Sequence, residues 1–190
     1  MPDPREGLEP DGTIRTGAHA DWIADRFRPL LSSAVDVVHA ISPAASVYVY
    51  GSVATGQARS PDSDVDLLVV GLAESDGADI ARTESARFGW LCRAVEIVVA
   101  TAADFDGDSD RAHGGRVFLH HYCVHLAGPD VDRATAPFRG DRRAARGFNG
   151  DMGEHLDRWR HDVDDADPSE LGRRVARKTL LATAGLVSVH

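Results

Sequence analysis

The chain has 190 residues, 43% of them hydrophobic, which is enough for one substantial folded domain and excludes global disorder. Its formal net charge is -9, so bulk electrostatic binding to nucleic acid is not expected, because that binding depends on phosphate neutralisation by lysine and arginine. The chain has 2 cysteines in no metal-type spacing, which argues against a zinc site or a disulfide framework.

The N-terminal segment contains acids and prolines and lacks the apolar stretch of a signal peptide. No apolar run approaches the roughly 20 residues that a membrane helix needs. We therefore expect a cytoplasmic protein without membrane contact. Arginine far outnumbers lysine, as is typical of proteins from GC-rich bacterial genomes, and Lys178 is the only lysine.

Three helical patterns surround the centre of the chain. Residues 1–19 are rich in proline, glycine and charge and are predicted to form a loose tail. Apolar residues then recur at helical spacing from Asp21 to Ile41, where Ser42-Pro43 ends the helix. A second helix is predicted over 77–92, and a third region, 141–162, also has a helical pattern.

Strands are predicted where runs are β-branched or continuously apolar. These runs are residues 46–50 (SVYVY), 64–70 (DVDLLVV) and 95–100 (VEIVVA). Residues 117–126 are apolar and rich in histidine, and they fit either a helix or a strand. Asp167 as N-cap, followed by Pro168, predicts a last helix over 171–189.

The order of these elements indicates an α/β (α+β) fold with a small mixed sheet flanked by helices. We predict a loose tail over 1–19, a core over 20–130 and a C-terminal helical region over 131–190. That last region could end short of a closing helix.

Two aspartates begin the second predicted strand. Side chains at i and i+2 of a strand share a face, so Asp64 and Asp66 are expected to project side by side. Carboxylates held that close repel each other unless a cation lies between them. Mg²⁺ binds through hard oxygen ligands of this kind, together with substrate phosphates. The pair therefore predicts a magnesium site, with a solvated acidic turn as the alternative.

A third acid and a Gly-Ser step complete the candidate site. Glu96 interrupts the apolar third strand and can join the aspartates if strands two and three are neighbours; otherwise it could pair with an arginine such as Arg93. Three carboxylates can hold two metal ions. Gly51-Ser52 ends the first strand, where a glycine allows a phosphate close to the backbone. A plain turn is the alternative there.

Gly51-Ser52, Gly56 and residues 63–70 (SDVDLLVV) together resemble the signature of the DNA polymerase β-type nucleotidyltransferase superfamily. That signature is a Gly-Ser, a spaced glycine and a Ser-Asp-x-Asp followed by hydrophobic residues. Glu96 matches the place of a third acid, which is more often aspartate in the family. The turn before Ser63 is one residue longer than in many small members. The resemblance is specific over 46–70 and extends to about residue 100.

The resemblance implies an enzyme that moves a nucleoside monophosphate from an NTP, such as ATP, to a hydroxylated small molecule, such as an aminoglycoside. It implies two Mg²⁺ ions, or Mn²⁺ in their place, held by the catalytic carboxylates of Asp64, Asp66 and Glu96. It also implies nucleotide binding by Gly51, Ser52 and Ser63. The C-terminal helices are similar to the helical region of bacterial aminoglycoside-type nucleotidyltransferases.

Two other functions stay open. A minimal, antitoxin-type nucleotidyltransferase would modify a partner protein instead of a small molecule. A non-catalytic nucleotide-binding module is a further alternative, and the intact pair Asp64 and Asp66 argues against it. Asp151 and Glu154 are available as general bases, but the sequence favours neither.

Basic and histidine clusters complete the list of candidates. Arg174, Arg177 and Lys178 share one helix face, which could either grip the triphosphate or be answered by the acidic run 162–167. Lys178 is retained as a candidate nucleotide-binding residue. A second basic cluster over 139–146 and the histidines over 120–125 are predicted to be structural, and Trp90 and Trp159 to be core residues.

Overall fold

The computed structural model describes residues 7–149, 152–163 and 166–184. It has four strands, β1 Ser46–Tyr50, β2 Val65–Val70, β3 Val95–Ala100 and β4 Val124–Ala127. The α-helices in the described ranges are α1 Arg28–Ile41, α2 Gly51–Ala54, α3 Glu74–Arg87, α4 Asp110–Tyr122, α5 Arg142–Asn149, α6 Met152–Asp162 and α7 Pro168–Ala184. None of the helices described is long and apolar enough to cross a membrane.

The four strands form one mixed sheet in the order β3-β2-β1-β4. β1 runs antiparallel to both β2 and β4, whereas β2 and β3 are parallel and are joined through α3. The register places Tyr50 opposite Asp66, and Asp66 opposite Glu96. The predicted α/β class with a small mixed sheet is therefore confirmed.

One face of the sheet carries the core. Phe27 and Leu30, before and within α1, pack in one buried cluster with Val49 and Leu67 of the sheet. A second buried cluster joins α1 and α3 to β1 and β2, through Val38, Val47, Val69 and Ile80. Because side chains alternate along a strand, the opposite face presents Tyr50, Asp66 and Glu96.

Two compact units are distinguished. The sheet unit comprises Arg15–Asp104 and Phe118–Pro137, and it contains all four strands. The helical unit comprises the described residues of Met1–Ile14, Phe105–Val117 and Phe138–His190. The predicted division of the chain at residue 130 stays a prediction.

The predicted strands agree with the structure within one residue, but the first helix begins later than expected. Residues Ala20–Trp22 and Asp25–Phe27 form short 3-10 turns, separated by extended backbone at Ile23 and Ala24. α1 begins only at Arg28, with Pro29 in its first turn, where a residue without an N–H costs no hydrogen bond. Apolar spacing alone did not distinguish these turns from a continuous helix.

Other boundaries also differ from the prediction. The ambiguous stretch 117–126 divides into the end of α4 and the first three residues of β4, with Cys123 between them. Residues 141–162 form two helices, α5 and α6, and the last helix starts at Pro168. Its predicted cap is confirmed, since Asp167 Oδ1 accepts a hydrogen bond from Glu170 N at 2.8 Å. The predicted end of that helix, 185–189, lies outside the described residues.

The predicted loose tail has structure in its described part. Leu8 pairs with Ile14 in an antiparallel bridge, and Thr13 forms another with Arg139. Ile14 is buried, and so is Ala18 in the sheet unit. Proline and glycine in this segment mark turns between short bridges, so composition alone gave the wrong expectation for residues 8–18.

Gly114 of α4 gives a test of packing in the helical unit. A Cβ at this position would lie 2.6 Å from Gly147 Cα of α5, whereas a Cβ at Gly172 of α7 would meet nothing within 4 Å. Helix propensity favours alanine over glycine at both sites. We expect Gly114→Ala to lower the free energy of unfolding by about 1–3 kcal/mol through overpacking. Gly172→Ala should leave it unchanged or raise it, as measured by chemical denaturation. Equal changes in the free energy of unfolding for both variants would contradict the close approach of Gly114 to Gly147.

Candidate active site

Two carboxylates lie side by side on the sheet face opposite the core. Asp66 is the second residue of β2 and Glu96 is the second residue of β3, and the parallel register pairs them directly. Neighbouring strands are about 4.8 Å apart, so both side chains leave the same edge of the same face. Asp64 lies one residue before β2 and two before Asp66. The register therefore places Asp66 and Glu96 next to each other in the sheet, and the convergence of all three carboxylates on one point stays a prediction.

The electrostatic environment of Asp66 is unfavourable for an isolated anion. Burial, followed by the charges of Glu96 and Asp64, raises the pKa of Asp66 to about 6, while Arg93 opposes the rise. Tyr50, its register partner on β1, has a pKa raised to about 12 by burial and then by Asp66 and Glu96. A negative potential therefore covers this part of the face.

Asp64 has an arginine partner. Nε of Arg93 donates a hydrogen bond to Asp64 Oδ1 at 2.9 Å, and Nη2 donates to Oδ2. The sequence left open an ion pair between Arg93 and Glu96, but the structure pairs Arg93 with Asp64. The only sequence signal for this residue was its place just before β3, so its contact was missed.

Gly51 lies against the central aspartate. It follows β1, begins α2, and has φ +68°, a backbone conformation that favours glycine. A Cβ built on Gly51 would fall far inside van der Waals contact with Asp66 Oδ2. Glycine here therefore leaves room for the Asp66 carboxylate. Ser52 follows in α2, as the sequence predicted for a Gly-Ser step at the end of β1.

The other predicted nucleotide-binding residues lie elsewhere. Ser63 Oγ accepts a hydrogen bond from Arg59 N at 2.9 Å and so closes the loop before β2. Its hydroxyl hydrogen is still available to donate to a phosphate. Lys178 belongs to α7 of the helical unit. The roles of both residues stay predictions.

Asp64, Asp66 and Glu96 are the acids that could supply oxygen ligands to a divalent cation. Within the described ranges, no group of three or more His, Cys, Asp or Glu side chains is assembled for a metal ion. Arg93 donates one hydrogen bond to each oxygen of Asp64, one of the three acids. The acids themselves fit, since all offer hard oxygen ligands and a cation would relieve the repulsion that raises the pKa of Asp66.

The comparisons with known proteins agree with this geometry. Residues 31–100 match the family described as a nucleotidyltransferase domain. Residues 31–100 carry a nucleotidyltransferase domain. The matched residues include Gly51, both aspartates and Glu96, and they confirm the predicted resemblance and the predicted enzyme class. A comparison with curated proteins gives no match.

Three solved structures have a distant likeness to the chain. Two are a toxin–antitoxin with AMP-PNP, at 15% identity, and a mutant of the toxin–antitoxin MntA–HpeT, at 14%; each has a TM-score of 0.39 and covers 70% of this chain and 94% of its own. The third is a tri-AMPylated HEPN toxin of Shewanella oneidensis in complex with an MNT antitoxin, at 14% identity and TM-score 0.35, covering 73% of this chain and 95% of its own. Likeness at this level gives no basis for assigning a substrate or a partner.

The histidines and tryptophans outside the candidate site differ in burial and in their contacts. His121 is fully buried near Thr16 Oγ1, at 3.3 Å, and burial lowers its pKa to about 4. His120 pairs with Asp132 at 2.7 Å. Trp159 is buried as predicted, but the prediction for Trp90 was wrong, since it is 71% exposed.

Three arginines of the two basic clusters form ion pairs with acidic side chains. Arg143 and Arg146 both pair with Asp110, and Arg174 Nη1 lies 3.9 Å from Asp162 Oδ2. The structural interpretation of these arginines is therefore supported. Of the two suggested general bases, Glu154 pairs with Arg111 at 3.0 Å, and Asp151 lies outside the described residues.

The raised pKa of Asp66 predicts a pH-dependent stability. The carboxyl titrates near 3.8 in the unfolded chain and near 6 in the folded protein, so the folded state keeps a proton that the unfolded state has released. The free energy of unfolding should therefore fall as pH rises from about 4 to about 6. Asp66→Asn should have the wild-type Tm at pH 4 and a higher Tm at pH 7, by about 2–4 °C in EDTA, once solvent screening is allowed for. Parallel Tm curves from pH 4 to 7 would contradict the raised pKa.

Proposed function

We propose that the sheet unit transfers a nucleoside monophosphate from an NTP to a hydroxyl group. The acceptor oxygen forms a bond to the α-phosphorus, the bond from that phosphorus to the β-phosphate oxygen breaks, and pyrophosphate leaves with the acceptor's proton passed to base or solvent. The observation that supports this most is the register of Asp66 with Glu96 beside Gly51, inside the matched domain.

Asp64, Asp66 and Glu96 would hold the metal ions, with Mg²⁺ as the expected species and Mn²⁺ as a substitute. When bound, the metal neutralises the triphosphate and lowers the pKa of the attacking hydroxyl. Asp66 lies on a strand inside the sheet, so its position is fixed by pairing on both sides.

Gly51, Ser52 and Ser63 would bind the nucleotide phosphates at the ends of β1 and the loop before β2. Gly51 keeps the backbone free of a side chain at the point nearest Asp66. The Ser63 hydroxyl is held in place by Arg59 N and can donate its hydrogen to a phosphate oxygen.

The acceptor side of the site is open. β3 is one of the two edge strands of this sheet, and on the face that carries Asp66 its Glu96 is exposed and Val98 is 50% exposed. Small-molecule sites usually enclose most of their ligand in a concave pocket. An open edge better fits an acceptor that brings its own covering surface. We therefore favour a hydroxyl of a partner protein over a hydroxylated small molecule.

The experiment is acceptor labelling with purified protein, Mg²⁺ and each of the four NTPs labelled at the α-phosphate. One arm adds host-cell proteins freed of small molecules, and another adds a panel of hydroxylated small molecules that includes aminoglycosides. We expect label on a discrete protein band, absent with Asp66→Asn. Label confined to a small molecule would overturn the protein acceptor, and no label in either arm would overturn the proposed transfer.

A further inference from the structure

Asp64 is held by a two-pronged ion pair in which each of its two oxygens accepts a hydrogen bond from Arg93. Arg93 donates from Nε to Oδ1 at 2.9 Å and from Nη2 to Oδ2. This is the fork geometry in which a guanidinium matches a carboxylate, and it is stronger than a single charged contact. The two partners are unequal in exposure, because the Asp64 side chain is 15% exposed and that of Arg93 is 69% exposed.

The backbone fixes both partners. Arg93 N donates to Ser63 O at 3.1 Å, and Val65 N donates to Ala94 O at 2.9 Å. These bonds extend the parallel pairing of β2 and β3 by one step before its first registered pair, Val65 with Val95. These main-chain hydrogen bonds therefore place the backbone of Arg93 next to that of Asp64, within range of its guanidinium.

Arg93 also acts as the counter-charge of the whole acidic cluster. It opposes the rise in the pKa of Asp66, and Glu96 and Asp62 both interact favourably with its guanidinium. A divalent cation placed among the same carboxylates would take over this role. The guanidinium can leave at small cost because most of it already lies in water, whereas Asp64 is largely covered.

We propose that Arg93 is a positioning residue that competes with divalent cations for Asp64 and so lowers the metal affinity of the site. The proposal rests on the proposed function, since it takes Asp64 as a metal ligand. Its consequence is that a cation alone occupies the site poorly. Occupancy then depends on the further ligands that the phosphates of a bound nucleotide supply.

The test measures Mn²⁺ binding to the full chain without nucleotide, from the electron paramagnetic resonance signal of free Mn²⁺. Arg93→Gln removes the competing guanidinium and should lower the dissociation constant for Mn²⁺ about tenfold. This is the expected effect of losing a two-pronged, charge-assisted ion pair, reduced because Arg93 is exposed to solvent. Arg93→Lys keeps the positive charge but not the two-pronged geometry, so its dissociation constant for Mn²⁺ should lie between those of the wild type and Arg93→Gln. A Tm within a few degrees of the wild type would show that each variant is folded.

A double-mutant cycle separates competition from general electrostatics. In an Asp64→Asn background, Arg93→Gln should lower the dissociation constant for Mn²⁺ far less than tenfold, because the contested carboxylate is gone and only the longer-range charge of Arg93 on the other acids is lost. An equal gain in both backgrounds would overturn the proposal, since any removed positive charge would then suffice. Unchanged or weaker Mn²⁺ binding in Arg93→Gln would also overturn the proposal. Mn²⁺ binding to Arg93→Lys is the second measurement of the same effect.

The failure of the proposed function gives a different pattern. If Arg93→Gln tightens Mn²⁺ binding far more when Asp64 is present, the competition stands even if no acceptor is ever labelled. If labelling succeeds and the cycle shows no coupling, nucleotidyl transfer stands and the role of Arg93 is overturned.

Discussion

Asp66→Asn is expected to lower the rate of nucleotidyl transfer by about 10²–10³-fold, the usual loss when one preorganised charge-stabilising group is removed. The change keeps the size of the side chain but removes an anionic oxygen from the centre of the acidic cluster. Asp66 is the acid flanked on both sides, by Glu96 across the sheet and by Gly51 at the end of β1. Its loss should therefore affect the rate more than any other single change.

The fold should survive this substitution. Asp66 carries a raised pKa in the folded protein, so the neutral amide relieves repulsion without creating a cavity. Asp64→Asn should also lower the rate, and Glu96→Gln should lower it less, because Glu96 is exposed on an edge strand. Rates are measured as pyrophosphate release, with Tm as the control for folding. If Asp66→Asn keeps most of the wild-type rate, these carboxylates are not the catalytic centre.

Gly51→Ala is the second change with a large expected effect. Its Cβ would collide with Asp66 Oδ2, so the carboxylate must move. A displacement on the order of 1 Å in a positioning group can lower a rate about 10²-fold. We therefore expect a loss of nucleotidyl transfer that exceeds any loss of stability.

Gly56→Ala is the matched control for the backbone. Gly51 and Gly56 have similar positive φ values, +68° and +72°, so alanine is strained at both by roughly 1–2 kcal/mol. At Gly56 the nearest atoms to the added Cβ belong to Trp22, at 3.0 and 3.2 Å, and not to an acid. Similar falls in Tm with a rate loss only in Gly51→Ala would support the role of Gly51. Equal rate losses would show that Gly51 serves only the turn.

The sequence predicted the parts of the site that depend on local patterns. The strands that carry Asp66 and Glu96 could be recognised as β-branched and apolar runs, because a strand that is mostly buried has few polar residues. The side-by-side placement of Asp66 and Glu96 followed once β2 and β3 were assumed to be neighbours. Gly51 was identified by its place after a strand, and its closeness to Asp66 adds a second reason for glycine.

Other features depend on tertiary contacts that no local pattern encodes. Arg93 had several acids within reach along the chain, and only the main-chain bonds that bring residue 93 beside Ser63 select Asp64 as its partner. β4 joins the sheet beyond β1 through a bulged antiparallel pairing, and its apolar, histidine-rich sequence gave no period to distinguish it from α4. Trp90 was expected in the core, but its side chain is largely exposed.

Nucleotidyl transfer is tested most directly by parallel incubations with ATP labelled at the α-phosphate and ATP labelled at the γ-phosphate, in Mg²⁺ and with the same acceptor preparation. We predict that only the α-label becomes attached to the acceptor, that the γ-label appears in pyrophosphate, and that both signals are lost in Asp66→Asn. Attachment of the γ-label to the acceptor, or α-label transfer that does not depend on Asp66, would contradict a nucleotidyltransferase centred on the carboxylates of β2 and β3.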